Sequence, residues 1–338
     1  MARVSLRSFL SGIFLLALTL ALAVLLSART GSVGMSMKQF FGILTGAPSD
    51  PQLYDIVWSV RFPRIFLSAL VGGALAVAGA VFQSLLRNPL ADPFVLGVSS
   101  GASFGAIASS LLLWRGWASF GSMTYLRPAA AFLGALLTIA VVYSMAGAER
   151  EGGSNRLLLA GIVISSFLYS TNIFLLTFLR QADMQNVFFW IIGDLSQGTR
   201  GSGVAVVAVL AGFFFLFLQA RELNLLAVSE QDAQALGVAV GRVKLQVYVA
   251  TSLMTGVVVS VSGTIGYVGL LVPHMVRFVV GSDHRRVLPA CLFGGAIFTI
   301  LADTVARTLM APIELPVGVV TAVVGAPFFI YLLHRRNR

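Results

Sequence analysis

Charged residues inside long apolar runs are the first candidates for chemistry in this sequence. Asp303 is followed four residues later by Arg307, which places both side chains on one face of a helix. An ionisable residue in such surroundings is a functional candidate by default, so Asp303 indicates either an intrahelical ion pair or a proton relay. A relay usually needs several carboxylates or histidines in series, and none is evident. The ion pair is therefore favoured.

Two further arginines, Arg61 and Arg64, flank Pro63 at the start of another apolar run. Arginine reaches readily from an apolar segment to the membrane surface, so both residues can be simple interfacial anchors. Together with Arg307 they can instead form a cationic patch that receives the carboxylates of a soluble partner. The sequence leaves both interpretations open, and the anchor is the simpler of the two.

No catalytic or phosphate-binding pattern accompanies these charges. The two lysines, Lys38 and Lys244, neither follow glycine nor precede serine or threonine, so the sequence contains no Walker phosphate loop. Cys291 is the single cysteine, and the three histidines lie far apart in the sequence. We therefore expect no metal site, no cofactor and no enzymatic activity in this chain. If ATP drives it, the ATPase is another chain.

The polar segment Arg221–Lys244 separates two long apolar runs and carries capping signals for a short helix. Ser229 can cap the helix, Glu230 and Asp232 fall in its first turn, and Gly237 can end it in a left-handed conformation. A helix of about two turns does not persist alone in water, so something must hold it. The segment is either an ordinary connecting loop or a small-residue helix presented to a partner's groove. The second interpretation is favoured, and its residues are Ser229, Glu230, Asp232, Ala233, Ala235, Leu236 and Gly237.

The composition is that of a protein solvated by lipid. The 338 residues are 57% hydrophobic and only 11% charged, with a mean hydropathy of +0.91. The net charge of +10 is compatible with nucleic-acid binding, but the basic residues lie at the ends of apolar runs rather than along one face. Membrane topology explains that distribution better, so we expect no nucleic-acid partner.

Apolar runs long enough to cross ~30 Å of hydrocarbon recur along the chain. They predict an all-α membrane protein of about ten helices, forming a single domain over residues 1–338, with both termini on one side. Fourteen of the 23 Lys and Arg residues lie on that side, which the positive-inside rule assigns to the cytoplasm together with residues 221–244. The expected spans are Phe9–Leu26, Phe62–Leu86, Phe94–Leu113, Pro128–Met145, Leu157–Leu179, Val204–Leu218, Leu245–Val261, Ile265–Val280, Val287–Ala306 and Leu315–Leu333.

Small residues and helix breakers add local expectations to this outline. A row of small residues begins at Gly72 and another at Gly318, which predicts close helix packing within the chain for the first and, for the second, equally a contact with another copy. The segment Arg87–Pro93 contains two prolines and predicts a tight turn. The glycine-rich segment Ser262–Gly269 predicts non-helical backbone at membrane depth, which protein or water must satisfy.

Several long stretches resemble the permease subunit of the iron-siderophore, haem and cobalamin family of bacterial ABC importers. The resemblance runs from about residue 60 to the C-terminus. Its stretches are RFPRIFLSALVGGALAVAGAVFQSLLRNPLADPFVLGVSSGAS from Arg61, RLLLAGI from Arg156, LNLLAVSEQDAQALGV from Leu223, SGTIGYVGLLVPHMVRFVVGSDHRRVLPA from Ser262 and ELPVGVVTAVVGAPFFIYLL from Glu314.

This resemblance implies a type II importer permease of ten helices in the bacterial inner membrane. It implies a homodimer that works with two cytoplasmic ATPase subunits, which hold ATP and Mg, and with a periplasmic binding protein. The transported substrate would be a metal chelate, namely a ferric siderophore, haem or cobalamin. The competing interpretation is an ion-coupled secondary transporter that uses Asp303.

The resemblance also implies roles for individual residues. The segment Ser229–Gly237 would be the coupling helix that docks in the ATPase. The fifth and tenth of the expected spans, Leu157–Leu179 and Leu315–Leu333, would line the central pathway. The turn Gly152–Asn155 is richer in glycine than this family's pattern, so the sequence departs from the family at the gate. The implied binding-protein docking residues are Arg61, Arg64 and Arg307, and the implied cytoplasmic gate residues are Asn88, Leu90, Ser154 and Asn155.

Overall fold

The computed structural model describes residues 6–47, 50–114, 123–147, 153–196 and 202–336. Within these ranges all the regular secondary structure is helical, and no β-strand is found there. The α-helices are α1 Leu6–Arg29, α2 Met37–Leu44, α3 Pro51–Asp55, α4 Phe62–Leu85, α5 Val98–Trp114, α6 Met123–Ala146, α7 Gly153–Leu176, α8 Gln181–Ile192, α9 Ser202–Leu218, α10 Ala220–Val228, α11 Glu230–Ala235, α12 Val240–Ser262, α13 Val268–Val280, α14 His284–Thr308 and α15 Val317–Arg336. A π-helical segment, Ile56–Arg61, joins α3 to α4, and a 3₁₀ turn, Pro93–Leu96, precedes α5.

Each of the ten expected spans coincides with one of these helices, so the all-α polytopic fold is confirmed. Six helical stretches in the described ranges are long and apolar enough to cross a membrane. The pair α9 and α10, bent by 60°, gives a seventh, and α5, α13 and α15 are shorter apolar helices. The predicted number of about ten spans is therefore only approximate, because several of these helices are shorter than a full bilayer crossing.

Helix α4 lies at the centre of the bundle, buried over most of its length. Its small residues allow neighbouring backbones to approach closely: a Cβ on Gly79 would lie 1.8 Å from the carbonyl oxygen of Gly269, and one on Gly72 would lie 2.3 Å from that of Gly295. The first row of small residues thus packs within the chain. Gly318 also meets a backbone of its own chain, because its Cβ would lie 1.8 Å from the carbonyl oxygen of Ile192.

The irregular segment after α12 is satisfied by protein. The backbone N–H of Asp194 donates to the carbonyl of Ser262 at 2.9 Å, and the hydroxyl of Thr264 donates to the carbonyl of Ile191. Tyr267 adopts a left-handed conformation with φ +67°. Residues at the end of α8 therefore hold the start of this irregular segment by one backbone bond and one side-chain bond within the protein.

Candidate functional site

Two polar clusters lie at opposite ends of α4, and the first surrounds the carboxylate of Asp303. Arg64 Nη2 lies 2.9 Å from Asp303 Oδ1, and Arg307 Nε lies 3.0 Å from Asp303 Oδ2. Arg64 Nη1 reaches the carboxylate of Glu314 at 2.7 Å. The ion pair favoured from the sequence exists, and Arg64 and Glu314 extend it to four charges. We call these four residues the outer cluster.

Arg61 lies beside the outer cluster and holds the C-terminal end of α1. Its guanidinium donates to the carbonyl oxygens of Ala28 at 2.9 Å, Arg29 at 2.7 Å and Val33 at 2.6 Å. Arg307 adds a 2.8 Å bond to the hydroxyl of Ser27. The last carbonyls of a helix have no partners within it and carry its negative dipole end. Both arginines therefore stabilise the end of α1.

The burial of the three arginines corrects the simpler expectation. Arg61, Arg64 and Arg307 are 3%, 8% and 4% exposed, whereas interfacial anchors would reach into solvent. An open cationic patch is not present either, because their guanidinium groups already bind carboxylates or carbonyls. The outward-facing member of the outer cluster is the carboxylate of Glu314, whose side chain is 40% exposed.

The second cluster lies at the other end of α4, around α11. The hydroxyl of Ser229 accepts a 3.2 Å hydrogen bond from the backbone N–H of Asp232, and Gly237 has a φ of +83°. Both capping predictions for this helix are confirmed. The six-residue helix is held by Glu230, whose carboxylate lies 3.0 Å from Arg87 and 2.8 Å from Lys244. These ion pairs fix α11 to the end of α4 and to α12.

The two alanines of α11 face different surroundings. Ala233 is fully buried, so its side chain belongs to the core and is not available to a partner. Ala235 and Asp232 are exposed, and Leu236 is 64% exposed beside them. Among the residues predicted for docking, the exposed ones are thus Asp232, Ala235, Leu236 and Gly237, and a bulky residue at Ala233 would disturb the packing of the core.

Helix α10, which leads into α11, is also fastened to α4. The Oδ1 atom of Asn224 lies 2.7 Å from His284 Nδ1, and His284 Nε2 lies 2.6 Å from the hydroxyl of Ser84. The side-chain amide of Asn224 donates to Asp283 at 2.7 Å. Sequence reasoning missed this chain of contacts, because its members are separated by 59 to 200 residues. It joins α10, α14 and α4 at the end that carries α11.

The turn proposed as a gate has a defined local structure. The Oδ1 atom of Asn88 accepts from the N–H of Leu90 at 2.9 Å, and Asp92 caps the 3₁₀ turn by accepting from Phe94 N–H at 2.8 Å. Leu90 is 45% exposed, and Asn155 at the start of α7 is also exposed. The side chain of Ser154 lies outside the described part of the structure. The gate assignment stays a prediction.

The buried carboxyl of Asp92 leads to a pH-dependence prediction. Burial raises the pKa of Asp92 to about 6, although the Phe94 N–H opposes the shift. An unfolded Asp titrates near ~3.9, so this group's contribution to stability is fully present below that pH and is lost as the pH rises through about 6. Asp92→Asn keeps an acceptor for Phe94 and removes the buried charge. We expect thermal melts at pH 7.5 to show a gain on the order of 2 kcal/mol, absent at pH 4; the same gain at both pH values would contradict the prediction.

The fold defines the class of the protein as a polytopic transport permease. It superposes with a TM-score of 0.83 on a solved, inward-facing ABC transporter described as of the metal-chelate type, which is 29% identical and matches 96% of this chain and 99% of that chain. The chain belongs to the FecCD transport family, which matches it over residues 18–335.

Named relatives agree with this membership. The cobalamin import permease BtuC of Halobacterium salinarum is 42% identical over 86% of this chain and 76% of its own length. The hemin transport permease HmuU of Yersinia pestis is 37% identical over 99% of this chain and 98% of its own length. The chain is thus a membrane permease of the ABC transporter type.

Proposed function

We propose that this chain is the permease subunit of an ATP-driven importer that moves a ferric siderophore, haem or cobalamin from the periplasm to the cytoplasm. Two copies form the pathway at their interface, and two ATPase subunits on separate chains supply the energy with ATP and Mg. The relatives named for cobalamin and hemin support the substrate class.

One observation carries this proposal: α11 is capped, tied down on one side and exposed on the other. A helix of six residues is too short to be stable alone, and here Ser229 and the Glu230 ion pairs hold it in place. Its exposed Leu236 and Ala235 give a soluble partner a small apolar surface. We infer that the ATPase docks there and that its motion reaches α4 through the contacts at Glu230 and His284.

The basic residues support the orientation. Arg87, Arg221, Arg242, Arg285 and Arg286 accompany α11 at its end of the bundle. By the positive-inside rule, this distribution supports a cytoplasmic location for that end. Helix α1 ends and α15 begins at the outer cluster, which supports the proposal that both chain termini lie on the cytoplasmic side of the inner membrane.

The outer cluster supports a specific form of binding-protein docking. Arg61, Arg64 and Arg307 are proposed to receive acidic residues of a periplasmic binding protein, yet in this conformation they are buried. Glu314 is exposed and pairs with Arg64, so a carboxylate of the binding protein can replace it there. Glu314 then acts as an internal competitor for the docking arginine.

Removing this competitor is expected to strengthen docking. Glu314→Gln leaves Arg64 Nη1 without its exposed carboxylate and raises the local charge by one, so the binding protein should bind several-fold more tightly at low salt. Surface plasmon resonance on the reconstituted permease measures the change. Asp55→Asn, which removes another exposed carboxylate six residues before Arg61 in the sequence, is the control for charge alone. Unchanged or weaker affinity for Glu314→Gln would count against the replacement of Glu314.

The alternative function, an ion-coupled transporter centred on Asp303, has less support. The carboxylate of Asp303 is 1% exposed and lies between two guanidinium groups at 2.9 and 3.0 Å. Both of its carboxylate oxygens are engaged in ion pairs, which fits a structural role better than that of a proton carrier. The membership of the ABC-type permease family points the same way.

Uptake in proteoliposomes tests the proposed function. The permease is reconstituted with its partner ATPase and binding protein, and labelled cyanocobalamin, hemin and a ferric siderophore are offered in turn. We expect one of the three to accumulate with ATP inside and to continue accumulating when an uncoupler removes the proton gradient. Accumulation that needs the proton gradient and not ATP would favour the Asp303 transporter instead.

A further inference from the structure

Helix α2 is an eight-residue helix beside the outer cluster whose position is fixed at one face and at its start. Phe40 and Ile43 are 4% and 2% exposed and belong to a buried cluster with residues of α1, α4 and α14. At its start, the hydroxyl of Ser36 accepts from the N–H of Gln39, and the Gln39 side chain accepts from the N–H of Ser36. This capping box holds the helix in one orientation.

A second, exposed face of α2 is apolar. Met37, Phe41 and Leu44 are 54%, 59% and 36% exposed and stand at i, i+4 and i+7, which aligns them in one stripe. Lys38 is also exposed and lies about 100° around the helix from Met37. The helix therefore has a core face, an apolar outer stripe and a cationic edge. An apolar stripe is unfavourable when it faces water, so another apolar surface is needed to cover it.

The neighbouring chain carries the residues that mark a membrane–water boundary. Tyr54 and Trp58 are 38% and 44% exposed, with ring centroids 6.4 Å apart, and Trp58 stacks on Phe62 at 4.7 Å. Tyr and Trp are enriched where hydrocarbon meets the headgroups. This aromatic ladder runs along the entry to α4 and places the adjacent α2 at the depth of the headgroups.

The apolar stripe of α2 continues the lipid-facing surface of α1. Leu22, Leu25 and Leu26 near the end of α1 are 58%, 44% and 49% exposed, in a helix with the length and composition of a membrane span. The core face of α2 packs in the same cluster as Ala23 and Ala28 of α1. Both exposed apolar surfaces therefore border the same region of the bilayer.

We propose that α2 lies in the plane of the membrane interface, with Met37, Phe41 and Leu44 inserted among the lipids of the leaflet at the outer-cluster end. Lys38 then faces the phosphate layer, as basic residues of interfacial helices do. The occupant of this surface is lipid, rather than a soluble partner or a second copy of the chain. The proposal is independent of the transported substrate and of the ATPase.

Spin labels on α2 test this placement in the purified chain in phosphatidylcholine–phosphatidylglycerol nanodiscs. The native Cys291 is buried, so single cysteines at Phe41→Cys, Leu44→Cys and Lys38→Cys can be labelled in its presence. Collision with oxygen, which concentrates in the acyl region, is compared with collision with a water-soluble nickel chelate. We expect the oxygen-to-nickel collision ratio to be several-fold higher at positions 41 and 44 than at position 38.

Two outcomes overturn the proposal. Equally low oxygen-to-nickel ratios at the three positions would place α2 in water above the membrane. Shielding of positions 41 and 44 from both reagents would show that protein covers the stripe, which in this preparation means a second copy of the chain. Because all three substituted residues are exposed, the melting temperature of each labelled variant should match that of the wild type, which separates these outcomes from misfolding.

Discussion

Replacing Gly79 with alanine is expected to prevent the stable packing of α4. The added Cβ would lie 1.8 Å from the carbonyl oxygen of Gly269 and 2.5 Å from its Cα, and neither backbone atom can rotate away. Overpacking of a well-packed core costs about 1–3 kcal/mol and more where backbone must move, as it must here. We expect Gly79→Ala to lose its cooperative melting transition or to show it many degrees lower.

A matched glycine provides the control for this prediction. Gly12 lies within α1, and no heavy atom stands within 4 Å of the Cβ that alanine would place there. Gly12→Ala should therefore melt at or slightly above the wild-type temperature, since alanine favours helix over glycine. Equal melting temperatures for Gly79→Ala and Gly12→Ala in detergent would contradict the close contact of α4 with the start of α13.

The second large effect is expected at Asp303. Asp303→Asn keeps the shape of the side chain but removes the carboxylate that pairs with both Arg64 and Arg307. Arg64 then keeps its ion pair with Glu314, whereas Arg307 loses its carboxylate partner. Removal of one partner from a buried ion pair costs about 3–5 kcal/mol, because the remaining charge stays out of water. Thermal melts of the purified chain should show a clear fall in stability.

Two further variants test whether the loss of stability in Asp303→Asn comes from unpaired buried charge. Asp55→Asn removes an exposed carboxylate and should have no measurable effect. Asp303→Leu combined with Arg307→Leu removes one charge of each sign and should recover part of the stability lost in Asp303→Asn. Wild-type stability of Asp303→Asn would show that Asp303 is not the charged centre of the outer cluster.

The apolar runs in the sequence predicted most of the architecture. A helix that faces lipid must be long and almost wholly apolar, so its sequence is easy to recognise. All ten apolar runs correspond to helices, and the caps of α11 at Ser229 and Gly237 are where the sequence placed them. Local chemistry determines these features. A run of apolar residues must be helical in hydrocarbon, and a capping serine acts within its own turn.

Contacts between distant residues were not predictable from the sequence. The partner of Asp303 across the bundle, Arg64, lies 239 residues away, so only its neighbour Arg307 could be expected. Arg61 was expected at a surface because nothing in its sequence shows that the end of α1 would cover it. The amphipathic helix α2 and helix α8 lie in segments with too few apolar residues for a span and were therefore missed.

The orientation of individual small residues was also beyond the sequence. Ala233 and Ala235 stand two positions apart in α11, and only the three-dimensional packing shows that the first is buried and the second exposed. The proposed docking surface is accordingly smaller than the whole capped helix. This distinction decides which substitution tests the function.

The central claim is that an ATPase on another chain drives this permease through α11, and the ratio of transported substrate to hydrolysed ATP measures it most directly. Leu236→Glu places a charge on the proposed docking surface, while Leu236→Met keeps its size and apolar character as the control. In proteoliposomes with matched permease levels, we expect Leu236→Glu to lose most ATP-driven uptake per ATP hydrolysed and Leu236→Met to retain it. A wild-type ratio for Leu236→Glu would contradict the account.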